Sequence, residues 1–240
     1  MPAEEPERAL RLHQEVARQI GTAILSGRIG PGEKLDGEIA QSEAMGVSRT
    51  AYREAIRILV AKGLVASRPK AGTHVTPRSR WNLLDPEILA WMFTGTPDRK
   101  FIRDLFELRG IVEPAAASLA AERRDHAQVA QMEEALADMR RFGLAAAEGQ
   151  AADRRFHRAI LEATGNSALV SLASSVGAAG QWTTHFKQSA SNAPRNPMPE
   201  HEALLAAIAA RDAAGAHAAM EELLRLALDD MKLVIQGRTA

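Results

Sequence analysis

The chain has 240 residues, of which 46% are hydrophobic, and its 30 basic side chains balance 30 acidic ones. This length allows one large domain or two small ones, and the apolar fraction excludes disorder for most of the chain. The sequence contains no cysteine, which excludes disulfide scaffolds, thiolate zinc sites and cysteine nucleophiles. It shows neither a signal peptide nor an apolar run long enough to span a bilayer, so we expect a cytoplasmic protein without a membrane partner.

The charges are distributed unevenly along the chain. Residues 1–80 carry 13 Lys and Arg against 9 Asp and Glu, and within 49–80 eight basic residues accompany one acid, Glu54. A local basic patch on a neutral chain indicates a polyanionic partner for that segment.

Near the amino terminus, the sequence predicts three helices. The first is indicated by apolar residues at every fourth position from Leu12 to Ile24. A short amphipathic helix over 38–45 is expected to stop at Gly46, and Ser48 is suited to cap the next helix. This pattern is typical of a helix-turn-helix whose second helix has a basic exposed face.

Beyond these helices, the sequence predicts a small hairpin. Short apolar runs at 64–66 and 73–75 flank a turn that contains Pro69, which favours two strands with a basic tip. We therefore predict a winged helix-turn-helix domain over residues 8–78.

After residue 81 the strand signals end, and the remaining pattern is helical. A linker with a connecting helix is expected over 79–96, and Thr96 is suited to cap the longer helix that follows. A proline-rich loop is predicted over 191–199. About six helices without strands imply an all-α bundle domain over 97–236.

The second helix of a helix-turn-helix places its amino-terminal side chains in the major groove of DNA. Four polar residues occupy that part of the predicted helix: Ser48, Arg49, Thr50 and Arg53. The alternative interpretation is a solvated basic helix face. Basic residues in the hairpin, with a glycine that permits close backbone approach, favour DNA binding: Arg68, Lys70 and Gly72.

Specific motifs across about 65 residues resemble the winged helix of GntR-type transcription regulators. They are Pro31-Gly32-Glu33-Lys34-Leu35, Val47-Ser48-Arg49-Thr50-x-x-Arg53-Glu54-Ala55, Gly63-Leu64-Val65 and Gly72-Thr73-x-Val75. The resemblance implies DNA contacts at Ser48, Arg49, Thr50, Arg53 and Gly72. The segment Asp36-Gly37-Glu38-Ile39 departs from the family pattern, so the operator cannot be copied from other members.

The second half of the chain resembles the FadR-type (FCD) effector domain of the same family. The motifs are Phe106-Glu107-Leu108-Arg109-x-x-Val112-Glu113-Pro114, Asp153-x-x-Phe156-His157 and Glu200-His201. The resemblance implies an all-α domain that binds an effector and forms a homodimer.

Helix geometry independently supports a polar site in this half. Asp153 and His157 are four residues apart, so on a helix both point the same way. Arg109 lies on an apolar stripe and needs an anionic partner. That partner is either a carboxylate effector bound to a metal, or an internal carboxylate such as Glu113 or Asp153.

By resemblance, a divalent metal such as zinc is held by Asp153, His157 and His201. The family's usual fourth ligand is a histidine, but Leu223 occupies that position here. The alternatives are an open three-ligand site completed by effector oxygens, or a hydrogen-bonding pocket without metal. Trp182 is expected either to stack on the effector or to fill the core.

A narrower resemblance lies in the linker. The segment Arg80-Trp81-Asn82-Leu83-Leu84-Asp85-x-x-Ile88-Leu89-x-Trp91 is similar to that of galactonate-operon repressors. It suggests a sugar-acid effector such as a hexonate. Trp81 and Trp91 are expected to pack between the two domains.

Taken together, the motifs predict a homodimeric repressor that binds a palindromic double-stranded operator and is released by a small carboxylate. Two alternatives remain at this stage. One is a metal-dependent hydrolase that uses the Asp and His cluster, and the other is a nonspecific architectural DNA binder.

Overall fold

The computed structural model describes residues 4–68, 70–94, 97–190 and 194–237. Two compact units follow one another along the chain, Met1–Gly95 and Thr96–Ala240. The fold is mainly α with one small hairpin, as predicted. In the described ranges, no helix combines the length and apolarity needed to cross a membrane.

The first unit is a winged helix-turn-helix. Its elements are helices α1 (Glu4–Leu25), α2 (Glu38–Ala44) and α3 (Arg49–Ala61), strands β1 (Val65–Arg68) and β2 (Gly72–Val75), one 3-10 turn (Arg78–Arg80) and helix α4 (Pro86–Met92). The strands are antiparallel, with Val65 opposite Val75 and Arg68 opposite Gly72. The predicted first strand began at Leu64, but the Leu64 amide donates to the Leu59 carbonyl and closes the end of α3 instead. Pro69, in the predicted turn, lies outside the described residues.

The linker tryptophans are buried within the first unit itself, and the expectation that they pack between domains is wrong. Trp81 and Trp91 are both buried in the core that α1 and α3 form. The indole of Trp81 donates to the Thr76 carbonyl at 3.1 Å. Trp91 lies against Gly21, where an added Cβ would be only 2.5 Å from the ring. The linker segment therefore forms part of the first unit's core.

A buried lysine connects the end of α3 to the start of α4. The Lys62 side chain is 8% exposed and its Nζ lies 2.7 Å from Asp85 Oδ1 and 2.6 Å from Glu87 Oε2. Asp85 also caps α4 by accepting from the amides of Glu87 and Ile88. One carboxylate thus satisfies both a helix terminus and a buried cation.

The second unit is all-α over the residues that the structure describes. Its helices are α5 (Arg99–Arg123), α6 (His126–Phe142), α7 (Ala147–Ala163), α8 (Ser167–Ser171), α9 (Ala173–Ala190), α10 (Met198–Ala209) and α11 (Ala213–Gly237). The short α8, which Asn166 caps, was not predicted. Helix α5 begins at Arg99 and is capped by Asp98, while Thr96, the predicted cap, lies outside the described residues.

The proline-rich loop is shorter than predicted at its end. Helix α10 begins at Met198 and includes Pro199 in its first turn. Proline is tolerated there because its missing N–H would have no partner within the helix. The predicted start of the loop, residues 191–193, lies outside the described ranges.

The core of the second unit fixes the relative positions of α5, α6, α7, α10 and α11. Fully buried side chains fill the space between these helices, among them Met132, Phe156, Leu204, Ile208 and Met220. Burial of this kind contributes roughly 1.5–3 kcal/mol for each large apolar side chain. Polar residues on the same helices are therefore held in fixed positions.

Candidate functional site

The start of α3 presents the predicted DNA-contacting residues to solvent. Ser48 caps the helix, because its side chain accepts a hydrogen bond from the Ala51 amide at 3.1 Å. Arg49, Thr50 and Arg53 are exposed, whereas Ala51 and Tyr52 face the core. The first turn of the helix is thereby fixed with its polar side outward.

The Glu38 carboxylate lies beside both Arg49 and Arg53. Arg49 Nε donates to Glu38 Oε1 at 3.3 Å, and Arg53 Nε is 3.8 Å from Glu38 Oε2. The arginine side chains remain 67% and 63% exposed. Within the described part of the chain, their terminal nitrogens have no hydrogen-bond partner, so the forked donors stay available for guanine or phosphate. Glu38 was not predicted to take part.

The wing adds further basic groups to the same unit. Arg68 and Lys70 are exposed, and Gly72 has a φ of +89°, a conformation that favours glycine. A Cβ at Gly72 would lie 2.8 Å from Cε of Lys34. Gly72 therefore permits close approach of Lys34, a cation that sequence reasoning did not select.

The second unit contains a cavity of about 270 Å³ that collects the predicted effector residues. Helix α5 contributes Arg109, α7 contributes Asp153 and His157, and α10 contributes His201. The volume is at the small end of ligand pockets, which suits a small polar molecule.

Asp153 lies between the two histidines. Its Oδ1 is 3.2 Å from His201 Nε2 and 3.6 Å from His157 Nε2. The three residues each offer one ligand atom, and all three atoms lie within 4.8 Å of one another. Ligands of a tetrahedral zinc ion are about 3.3 Å apart, given bonds of about 2.0–2.2 Å. The spacing therefore fits a divalent metal.

The hydrogen bonding of His201 supplies a second test of this fit. His201 Nδ1 lies 2.7 Å from the Pro197 carbonyl, which only accepts, so Nδ1 carries the proton. In the neutral ring Nε2 then presents a lone pair to the Asp153 carboxylate, and Nε2 is buried without a hydrogen bond among the described residues. This contact is favourable when either a metal ion or a proton separates the two atoms.

Arg109 has the internal partner that was weighed as the alternative. Its Nε donates to Glu113 Oε1 at 2.5 Å, and the side chains of both residues are at least nine-tenths buried. Arg109 Nη1 also lies 3.4 Å from the Thr183 hydroxyl. Glu113 Oε2 is 3.6 Å from His157 Nδ1, so the carboxylate that pairs with Arg109 also lies beside His157.

These surroundings shift two pKa values. Burial opposes ionisation of Asp153, but the close contact with His201, together with His157 and the positive charge of Arg109, outweighs it and lowers the pKa of Asp153 to about 2. Burial lowers the pKa of His157 despite the opposing effect of Asp153 and Glu113. At neutral pH the site thus has an ionised carboxylate and a neutral imidazole, the forms that bind metal.

Two further predicted positions, Leu223 and Trp182, are now located, and so is His217. Leu223 on α11 is buried and lines the cavity, so an apolar side chain stands on that wall. His217 is 45% exposed and lies 3.6 Å from Glu221, away from the cavity. Trp182 is outside the set of lining residues and makes an edge-to-face contact with His185 at 5.6 Å.

Sequence reasoning missed a second polar group on the cavity wall. It consists of Lys187 on α9, Arg195 before α10 and Asp230 on α11. Arg195 Nε donates to Asp230 Oδ2 at 3.2 Å, although the two residues are 35 positions apart. The only sequence signal is that Lys187 follows Thr183 and Thr184 on one helix face.

Comparisons with known proteins relate both units to transcription regulators. The chain matches the family model for bacterial regulatory proteins of the gntR family over residues 12–75 and the model for the FCD domain over residues 104–226. It is 35% identical to the HTH-type transcriptional regulator YieP of Escherichia coli, over 88% of this chain and 91% of that protein. It is 33% identical to the galactonate operon transcriptional repressor of Escherichia coli, over 80% of this chain and 85% of that protein. The fold is similar to that of Lar, which controls the expression of the Listeria monocytogenes agr system, with a TM-score of 0.63 at 18% identity over 92% of this chain and 96% of that one.

Proposed function

The chain belongs to the GntR family of bacterial transcription regulators, and we propose that it is a homodimeric repressor of sugar-acid catabolism genes, released from its operator by a small carboxylate. The family and its relatives regulate transcription, so the alternative of a metal-dependent hydrolase is dropped. One observation carries the effector part of the proposal: Arg109, Asp153, His157 and His201 line a single cavity.

The first unit supplies the DNA contacts. Arg49 and Arg53 extend from a capped helix. Each has its Nε beside Glu38, and the terminal nitrogens are left for DNA. Ser48 and Thr50 flank them for phosphate or base contacts, while Arg68, Lys70 and Gly72 bring the wing close to the backbone of the duplex. Two copies related by two-fold symmetry would each bind one half of a palindromic operator.

The second unit supplies the effector site. Asp153, His157 and His201 would hold a divalent metal ion there. We place the end of the linker near residue 96 and the effector domain over residues 97–236. Such an ion, when bound, attracts the carboxylate of the effector and leaves a coordination position for it. Arg109 adds positive charge at the cavity, and Glu113 keeps Arg109 in place through their hydrogen-bonded ion pair.

The class of effector is inferred from the cavity and from the relatives. Threonine, glutamine and charged side chains interrupt a largely apolar wall, and these polar groups suit a hydroxylated ligand. A relative that covers most of this chain is named a galactonate operon repressor. A hexonate is therefore the first candidate, and Trp182 remains proposed as a contact if it moves toward the cavity on binding.

Thermal unfolding of the purified full-length chain tests this proposal. Galactonate, lactate and citrate are each added with zinc or with a chelator. A ligand that binds only the native state at about 100 times its Kd adds roughly 2.7 kcal/mol of stability, which raises Tm measurably. We expect a shift with at least one carboxylate that the chelator abolishes.

His157→Ala separates effector binding from folding. This variant should lose the Tm shift but bind operator DNA as the wild type does, whereas His217→Ala, an exposed histidine, should retain both properties. If His157→Ala keeps the full shift, the cluster is not the effector site. Competition with random DNA at several salt concentrations distinguishes the repressor from a nonspecific binder, since only specific binding survives excess competitor.

A further inference from the structure

The cavity has a second polar region formed by Lys187 and Asp230. Lys187 Nζ lies 3.6 Å from Asp230 Oδ2, which exceeds hydrogen-bond distance, and the Lys187 side chain is only 12% exposed. No other described residue accepts a hydrogen bond from Nζ. Burial lowers the pKa of Lys187, although Asp230 opposes this effect. An ammonium held in this way has hydrogen-bonding capacity that the described residues leave unused.

Asp230 is fixed on the opposite side by Arg195. Arg195 Nε donates to Asp230 Oδ2 at 3.2 Å, and Arg195 Nη1 donates to Glu200 Oε1 at 2.7 Å. Asp230 Oδ1 has no hydrogen-bond partner among the residues with described positions. The carboxylate is therefore held in one orientation with an acceptor oxygen to spare.

Lys187 Nζ lies 3.6 Å from Asp230 Oδ2, which has a further lone pair beside the one that accepts from Arg195, and this pair of atoms suits one particular chemical group. A ligand hydroxyl donates one hydrogen bond and accepts others, so a single hydroxyl oxygen about 2.8 Å from each atom satisfies both Lys187 and Asp230. A carboxylate only accepts, so it would face the Asp230 oxygens with like charge. An alkyl group would give Lys187 Nζ no hydrogen-bond acceptor and would add no donor to the one that Arg195 already supplies to Asp230.

The charges around the cavity lead to the same ligand class. Three cations lie in its wall, namely Arg109, Lys187 and Arg195. Four carboxylates lie in the wall or pair with those cations, namely Glu113, Asp153, Glu200 and Asp230. Without counting the histidines, these groups sum to one negative charge, and a divalent ion held by Asp153, His157 and His201 would change the sum to one positive charge. A ligand with one carboxylate balances it, whereas a dicarboxylate does not.

We propose that Lys187 and Asp230 form a hydroxyl-binding subsite that selects a polyhydroxylated monocarboxylate over the dicarboxylate of equal length and over the unsubstituted acid. Arg195 is a positioning residue for Asp230. This inference rests on the proposed function, because it assumes that the ligand's carboxylate lies at the Asp153, His157 and His201 end of the cavity.

Calorimetric titration of the zinc-loaded full-length chain with four acids tests the proposal. The acids are galactonate, galactarate, hexanoate and lactate. We expect galactonate to bind at least about ten times more tightly than galactarate or hexanoate, since a hydrogen bond to a charged group changes affinity by roughly 10- to 100-fold. Lactate is too short to use the subsite and reports only on the carboxylate end.

Asp230→Asn should weaken galactonate binding by roughly 10-fold or more and change lactate binding by less than about 2-fold. Asp229→Asn is the matched control, because Asp229 is the adjacent residue, is 46% exposed and pairs with Arg225 and Lys232 outside the cavity. If the melting curve shows that Asp230→Asn does not fold, Lys187→Met decides with the same four acids and the same expected pattern.

The results separate the two proposals. The subsite is overturned if the wild type binds galactonate and galactarate with equal affinity. It is also overturned if Asp230→Asn and Asp229→Asn change galactonate affinity equally. In either case, binding of lactate still supports the carboxylate site. Absence of binding for all four acids overturns the proposed function, and the subsite with it.

Discussion

Replacing Glu113 by alanine removes the partner of a buried cation. Arg109 and Glu113 have side chains that are 7% and 4% exposed, and they are joined by a hydrogen bond of 2.5 Å. In Glu113→Ala the guanidinium keeps, among the described residues, only the long hydrogen bond with Thr183 and its position over the Phe106 ring. Breaking a buried pair by removal of one partner costs about 3–5 kcal/mol. With a urea m-value of about 2 kcal/mol/M, the midpoint of unfolding should fall by roughly 2 M.

The measurement is urea unfolding of the full-length chain, followed by circular dichroism. Glu202→Ala is the matched control, because its partner Arg140 is 61% exposed and Glu202 is 45% exposed. An exposed pair of this kind contributes less than about 1 kcal/mol. If the two variants lose equal stability, Arg109 is solvated in the native state, and the argument from burial is wrong.

A double variant tests whether the Arg109 and Glu113 pair serves stability or effector binding. Arg109→Met with Glu113→Leu replaces two buried charges by apolar groups of similar size, and such replacements are neutral or stabilising by about 1–4 kcal/mol. We expect this protein to be as stable as the wild type and to give no Tm shift with any carboxylate. Stability as low as that of Glu113→Ala would instead assign the pair a purely structural role.

Three other perturbations give direct expectations. Arg49→Ala should cost about 1–3 kcal/mol of affinity for an operator selected by the wild type from random DNA, and fluorescence anisotropy that shows unchanged affinity would refute its role. Lys62→Met should lower the free energy of unfolding by about 1–3 kcal/mol, because Asp85 and Glu87 lose their shared partner. Calorimetry that finds no change would place Lys62 in solvent. Removal of divalent metal with a chelator should lower Tm and added zinc should restore it, whereas a Tm indifferent to both would favour the hydrogen-bonded form of the cluster.

The sequence was most informative where a feature depends on local spacing. The helical register places Asp153 and His157 on one face because four residues complete about one turn, and the structure has both in one cavity. Ser48 was identified as a cap from its position before a helix, and it is the cap. Both inferences use distances within one turn of chain.

Contacts between distant segments could not be derived in this way. Lys187, Arg195 and Asp230 belong to different segments, and nothing in their local pattern indicates that they meet. Glu38 likewise lies 11 residues before Arg49, with a turn between them. Pairing across such separations is set by how helices pack, which side-chain periodicity alone leaves undetermined.

Leu223 shows how the missing fourth ligand and the second subsite belong to one arrangement. Its side chain is buried on the α11 wall, where a histidine would complete a closed four-ligand metal site of the structural type. With leucine there, the proposed metal site of Asp153, His157 and His201 would leave one position for an oxygen of the effector. Asp230 is on the same helix seven residues later, two turns along the same wall. Helix α11 thus places leucine, which cannot coordinate a metal, near the proposed metal site and a carboxylate two turns farther on. Under the proposal, an effector that binds both regions carries a carboxylate at one end and a hydroxyl at the other.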